Sequence, residues 1–248
     1  MLKHPLVRGS WILKHLFALT IFVTLIGFGF WQLDRLEQRR AFNAARLAVL
    51  DQNPMTLTPQ SDPEALFGRR VRLTGTFRND ESVVLRGRAS DSGVAGVHLL
   101  VPLQLSGSDR AVLVDRGWLP DEQRDPERRA AYAVSREVTI EGLALPPQTR
   151  SDALLAPIDV PLAGETRIDA WIRADVAKIQ EQVAVPLLPV YVEQLPEAGS
   201  TALPRPADPR LLDEGPHLSY ALQWFAFAGM LAIVYAGLMR QELQKAAG

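Results

Sequence analysis

The sequence predicts a membrane protein with two transmembrane helices, one toward each end of the chain, flanking an extracytoplasmic α+β domain rich in β-strands. Three observations predict it. First, Leu16 to Leu33 and Leu218 to Met239 contain no Asp, Glu, Lys or Arg, and about 20 apolar helical residues, at about 1.5 Å each, cross a hydrocarbon layer of roughly 30 Å. Second, short segments between these runs alternate apolar and polar residues with a period of two, the pattern of half-buried strands. Third, Lys3, Arg8 and Lys14 precede the first run and Arg240 and Lys245 follow the second. The positive-inside rule then puts both ends in the cytoplasm and the middle outside it. The 248 residues suffice for one sizeable domain plus extra elements.

In order, the chain reads as a cytoplasmic N-terminus (1–11), a first transmembrane helix (12–33), an extracytoplasmic domain (34–216), a second transmembrane helix (217–239) and a cytoplasmic C-terminus (240–248). The first apolar run has the basic flank of a secretory signal. It is longer than the roughly 7–15-residue signal core, however, and no small-x-small cleavage pattern follows it, which favours an uncleaved span. Arg35, Arg39 and Arg40, directly after this span, work against the orientation, since Asp34 and Glu37 count little in the rule. The second run reads as a terminal span rather than a buried core helix.

Within the middle, "DRLEQRRAFNAARLAVL" continues as a helix until Pro54 stops it. "RVRLTGTF", "VHLLVPLQL", "RAVLVDRGW", "REVTIEGLAL" and "PVYVEQL" read as strands of a sheet. One helix is expected at "DVAKIQEQVA", with Asp175 as its N-cap, Val176, Ile179 and Val183 on one stripe, and Pro186 and Pro189 beyond its end. "PEAGSTALPRPADP" reads as an extended connector.

The charge of −1 gives none of the basic excess of a nucleic-acid binder. The absence of cysteine excludes disulfides, thiolate metal sites and covalent c-type haem attachment. No phosphate loop, G-x-S-x-G elbow or H-E-x-x-H motif occurs. His4, His15, His98 and His217 are too far apart for a local metal-ligand pair. His98 reads as a satisfied or solvent-facing strand residue, and His4 and His15 as headgroup-level residues.

His217 differs, because it opens an apolar helix on which Tyr220, Trp224, Phe227 and Leu231 fall within a sector of about 80°. Ala221, Ala228 and Ala232 lie beside that sector, while Thr20, Thr24, Gly27 and Trp31 align on the first span, offering small faces through which the helices can pair. Two readings stand. The rings and imidazole belong to an interfacial belt, or neutral His217 ligates the iron of a non-covalently held haem whose macrocycle lies against Tyr220, Trp224 and Phe227. In the sheet, Val112, Val114, Arg116 and Trp118 on one strand face would set a cation beside a large ring. That pair is either a core Trp with a surface Arg, or a site that docks a partner or holds a haem propionate.

Three stretches, "FWQLDR", "GVHLLVPLQL" followed by "VLVDRGWLP", and "HLSYALQWFAFA", resemble the surfeit locus protein family of cytochrome c oxidase assembly factors, in order and over nearly the whole chain. The resemblance implies a bacterial inner-membrane protein, not an enzyme, that binds haem a and assists its insertion into the catalytic subunit of a terminal oxidase. That subunit is the implied partner, with haem A synthase a further candidate, in a lipid surround and without nucleic acid. The family's histidine at the opening of the second span is implicated as the haem ligand, a role that carries over to His217. Trp31, Gln32 and Arg35 match the first motif, Gly117 and Trp118 the second, and Tyr220 and Trp224 the third. Family members commonly carry an asparagine two residues before the histidine, where this chain has Gly215, and Pro216 precedes His217. Proline suits a helix entrance, but a hydrogen bond from that asparagine to orient the imidazole is lost. A haem-free scaffold for an oxidase assembly intermediate is the alternative. An anchored extracytoplasmic enzyme would lack a recognisable nucleophile, metal set or phosphate loop.

Overall fold

In the computed structural model the described residues are 5–7, 9–149, 157–161 and 167–247; Lys3, His4 and Arg8, invoked for orientation and headgroup placement, lie outside them. In chain order the elements are α1 (Gly9–Leu50), β1 (Met55–Thr56), α2 (Pro63–Leu66), β2 (Arg70–Phe77), β3 (Val83–Ala89), β4 (Ala95–Leu105), β5 (Ala111–Pro120), α3 (Pro126–Arg129), β6 (Val138–Leu145), β7 (Ala170–Trp171), α4 (Val176–Gln180), β8 (Leu187–Gln194) and α5 (His217–Ala247). The chain divides into two units, Met1–Arg46 with Leu212–Gly248, and Leu47–Leu211.

The second unit is a small β-barrel with additions. In β2, Val71, Leu73, Gly75 and Phe77 are buried between less buried or exposed polar neighbours, as a period of two requires when one face is covered. Hydrogen bonding runs β2-β6-β8-β5-β4, and pairing of Gly75 to Phe77 with Leu105 to Leu103 closes the ring. Closure is tight, since a Cβ on Gly75 would come 2.1 Å from the Gln104 carbonyl oxygen. Inward residues from all five strands, among them Leu73, Leu103, Val114, Ile140 and Val192, fill the barrel. Interior side chains pack a barrel of this size rather than leave a pore. Strand β3 extends the sheet from β4, and β7 pairs parallel with β3.

Outside the ring, α4 covers a second cluster. Val176, Ile179 and Val183 pack with Leu100, Leu113 and Trp171, and the Asp175 carboxylate caps the helix by accepting from the Lys178 N–H at 3.2 Å. The expected cap is present, but the helix ends at Gln180, so Val176 and Ile179 lie on it and Val183 packs from beyond its end. Short helices α2 and α3, each with proline in its first turn, and strand β3 were not anticipated. The connector 196–209 is not a plain extended run but turns at 198–199 and bends at 203–204, and it makes a bridge between Arg205 and Trp118.

The first unit is an antiparallel pair of helices, both long and apolar enough to cross a membrane. Helix α1 does not stop at Leu33 but continues to Leu50. Its least exposed positions, Trp11, His15, Ala18, Phe22, Leu25, Gly29, Gln32 and Leu36, alternate steps of four and three, the 3.5-residue period of helices wound around each other. On α5 the corresponding positions are His217, Ala221, Trp224, Ala228, Leu231 and Tyr235. Ala221 and Ala228 are buried as the small-residue argument expects, but Ala232 is exposed. Thr20, Thr24, Gly27 and Trp31 are exposed too, so the stripe predicted to face the partner helix points away from it. Larger residues interdigitate instead: Phe225 lies where a Cβ on Gly29 would sit, 2.3 Å from its Cε1.

Candidate functional site

Helix α5 begins at His217, and its first helical hydrogen bond runs from the Tyr220 N–H to the Pro216 carbonyl. Facing it on α1 is Gln32, 9% exposed, whose side-chain oxygen lies 2.9 Å from His217 Nδ1. An amide oxygen only accepts, so Nδ1 carries the proton and the lone pair is on Nε2. The segment leading into the helix is pinned to α1. The Asp213 carbonyl accepts from Arg39 Nε at 3.1 Å and from Asn43 Nδ2 at 3.3 Å, and Arg40 pairs bidentately with Glu214. The Arg40 guanidinium holds the Glu214 carboxyl below its ordinary value.

Motif residues from both helices gather on one flank of this pair. Trp224 meets Phe28 at 5.0 Å between ring centroids and Phe227 at 6.1 Å. On the opposite flank, Phe225 meets Phe30 at 5.5 Å. At about 100° per residue, Phe28, Trp31 and Arg35 lie to the same side of Gln32, and Tyr220, Trp224 and Phe227 to the same side of His217; the Phe28–Trp224 contact makes these one flank. Trp31, Tyr220 and Phe227 are 49%, 47% and 42% exposed, and the Arg35 guanidinium sits 5.7 Å over the Trp31 ring. His217 thus opens a helix whose neighbouring flank is an open strip of rings. Gly215 lies beside the imidazole, where a Cβ would meet Cδ2 at 3.3 Å and Nε2 at 3.4 Å.

The other described histidines are engaged differently. His15 Nε2 lies 3.1 Å from the Leu6 carbonyl and Nδ1 is 2.6 Å from the Tyr235 hydroxyl, so both ring nitrogens are used. His98 Nδ1 binds Asp115 Oδ2 at 2.8 Å, a satisfied strand histidine. Among the described residues, no group of three or more His, Cys, Asp or Glu could hold a metal ion.

The "DRGW" segment of β5 departs from its expected geometry. Opposite His98 to Leu100 of β4, β5 supplies Trp118 to Asp115, one residue more, and Gly117 takes a φ of +108°. This β-bulge reverses the alternation. Arg116 keeps the inward face of Val112 and Val114, 4.8 Å from the Phe77 ring, whereas beyond the bulge Trp118 pairs with His98 on the outer face and Leu119 takes the inward place. Arg116 and Trp118 do not share a face. Trp118 exchanges two main-chain hydrogen bonds with Arg205, at 2.7 and 2.9 Å, so Gly117 and Trp118 serve the fold here. Sequence reasoning missed the joining of Gln32 to His217, which no local signal marks.

The SURF1 family profile matches residues 19–229, a span that holds both helices' motif residues and the whole barrel. A SURF1-like protein of Rickettsia felis is 28% identical over 225 residues, covering 89% of this chain and 94% of its own. One from Monosiga brevicollis is 26% identical over 233 residues, covering 90% and 86%. The surfeit locus protein 1 of Takifugu rubripes is 25% identical over 150 residues, 54% of this chain and 62% of its own. A match across this much of the chain, with bacterial proteins among the relatives, establishes that the chain belongs to the SURF1 family.

Proposed function

We propose that this protein is an assembly factor for a haem-copper terminal oxidase, cytochrome c oxidase, binding haem a through His217 and assisting its insertion into the catalytic subunit. The observation that carries the reading is the Gln32–His217 contact, which fixes the tautomer with Nε2 unprotonated at the head of the helix that carries the aromatic flank. A metal-binding histidine characteristically donates its other N–H to such a partner. The residues fit the group: Nε2 offers an iron ligand, and Trp224, Phe227, Tyr220 and Phe28 present apolar ring faces to a macrocycle. When bound, haem a supplies an iron with an axial position for a neutral imidazole. Gln32 orients that imidazole and keeps its lone pair outward, and the exposed flank leaves the bound group a path to leave by.

In this reading both helices cross the bacterial cytoplasmic membrane, with the termini cytoplasmic and the barrel periplasmic, and the oxidase catalytic subunit is the acceptor. The family membership supports the oxidase role. The test is co-expression with haem A synthesis, purification, and a visible spectrum. His217→Ala is expected to lose the haem signal, and Gln32→Leu to weaken retention by about ten-fold or more. An unchanged spectrum in His217→Ala overturns ligation by this residue. A wild type that purifies free of haem while haem A is abundant favours the scaffold.

A further inference from the structure

The barrel unit holds a cavity of about 570 Å³ beside its strands, within the range of small-molecule sites. Arg116, on the inner face that Val112 and Val114 share, lines it. This guanidinium donates through Nη1 to the Tyr132 carbonyl at 2.7 Å and stacks over Phe77, but among the described residues no carboxylate forms an ion pair with it. Its neighbour Asp115 is turned to the other face, where it binds His98 and accepts from the Gly117 N–H. Burial pushes the Arg116 guanidinium below the ordinary arginine value, as an uncompensated cation requires.

In the same lining, and among the described residues, Arg167 donates to main-chain carbonyls, those of Asp80 and Ser82 at 3.3 and 3.0 Å. Arg129, buried, is held by both oxygens of Asp169. With Asp80 also in the lining, three guanidiniums and two carboxylates are present among the described residues, leaving one net positive charge there. The remaining wall is mixed: Leu99, Val101, Pro126 and Ala133 form an apolar part, beside Asn79, Ser82 and Tyr132.

We propose that this cavity binds a small organic monocarboxylate, its carboxylate between Arg116 and Arg167 and its apolar body against Leu99 and Val101. A guanidinium fork suits a planar carboxylate. The single net charge selects a monoanion over a phosphate dianion, and the apolar part of the wall selects an organic acid over a bare ion. The site is independent of haem and is tested in haem-free protein.

The full chain in detergent is titrated calorimetrically with benzoate, benzamide and inorganic phosphate. Saturable binding of benzoate, at least ten-fold tighter than of benzamide or phosphate, is expected, with a ten-fold or greater loss in Arg116→Gln. If Arg116→Gln does not fold, judged by its thermal transition, Arg167→Gln decides: weakened benzoate binding supports the site and unchanged binding overturns it. No saturable benzoate binding, equal binding of benzamide, or preference for phosphate also overturns it.

Discussion

At residue 215 the backbone has a φ of +74°, in the left-handed region that glycine and asparagine enter more readily than other residues. Glycine in place of the asparagine implied by the family resemblance therefore preserves the chain's path into α5. The orienting hydrogen bond comes from Gln32 instead, 185 residues away in sequence. His217, Tyr220 and Trp224 were legible because helical spacing alone placed them in one sector; Gln32 was not, because pairing register between distant helices leaves no trace in either helix alone. Gly117 was legible as a motif residue, but not as a bulge. Its φ of +108° makes the site intolerant of a side chain, and so does the backbone beside it, since a Cβ there would come 2.2 Å from the Arg205 carbonyl carbon. Gly117→Ala is expected to cost about 2–3 kcal/mol, read as a lower thermal midpoint of the full chain in detergent.

At the scale of elements, period-two alternation identified β2 because it buries one face, while β5 is buried on both faces from Ala111 to Asp115 and was read from its apolar run. Strand β3 escaped it: Val83, Val84 and Leu85 are all buried, since that stretch is covered on both sides and an unbroken apolar run carries no period. The β2–β6 seam adds an electrostatic element. Glu141 of β6 accepts from Arg72 and Arg70 of β2, with nitrogen–oxygen distances of 2.6 and 2.5 Å, and these hydrogen bonds, Arg72 first, hold its carboxyl below the ordinary value. A depressed folded-state pKa gives stability that is present above the unfolded value and lost as pH falls through the folded one. Solvent screens the exposed Arg72 arm, so Glu141→Gln should cost only about 1 kcal/mol at pH 7. The difference from wild type in thermal midpoint should shrink as pH is lowered below the usual carboxylate range, and a difference constant with pH would contradict the assignment.

For the whole molecule, the two ends of the chain build one unit and the middle builds the other, a division the two charge-free runs made visible in the sequence. The pairing face of α1 was misread there, and so was Ala232 of α5. Small residues suggested Thr20, Thr24 and Gly27, whereas Phe225 fits over Gly29 and the spacing of Phe22, Leu25 and Gln32 sets the seam. The proposed orientation predicts that alkaline phosphatase fused after Ala133 is active in cells while a fusion after Ala247 is inactive; the opposite pattern would invert the topology.

The twofold hold on the Asp213 carbonyl, by Arg39 and Asn43, makes distance along α1 a carrier of information. From Gln32 to Arg39 is one heptad, so imidazole and clasp are gripped by the same stripe two turns apart. A single inserted residue between them would swing the clasp by about 100° around the helix, and no side-chain rearrangement could restore both grips. The number of residues in this interval is therefore held by both grips at once, whichever side chains fill its exposed positions.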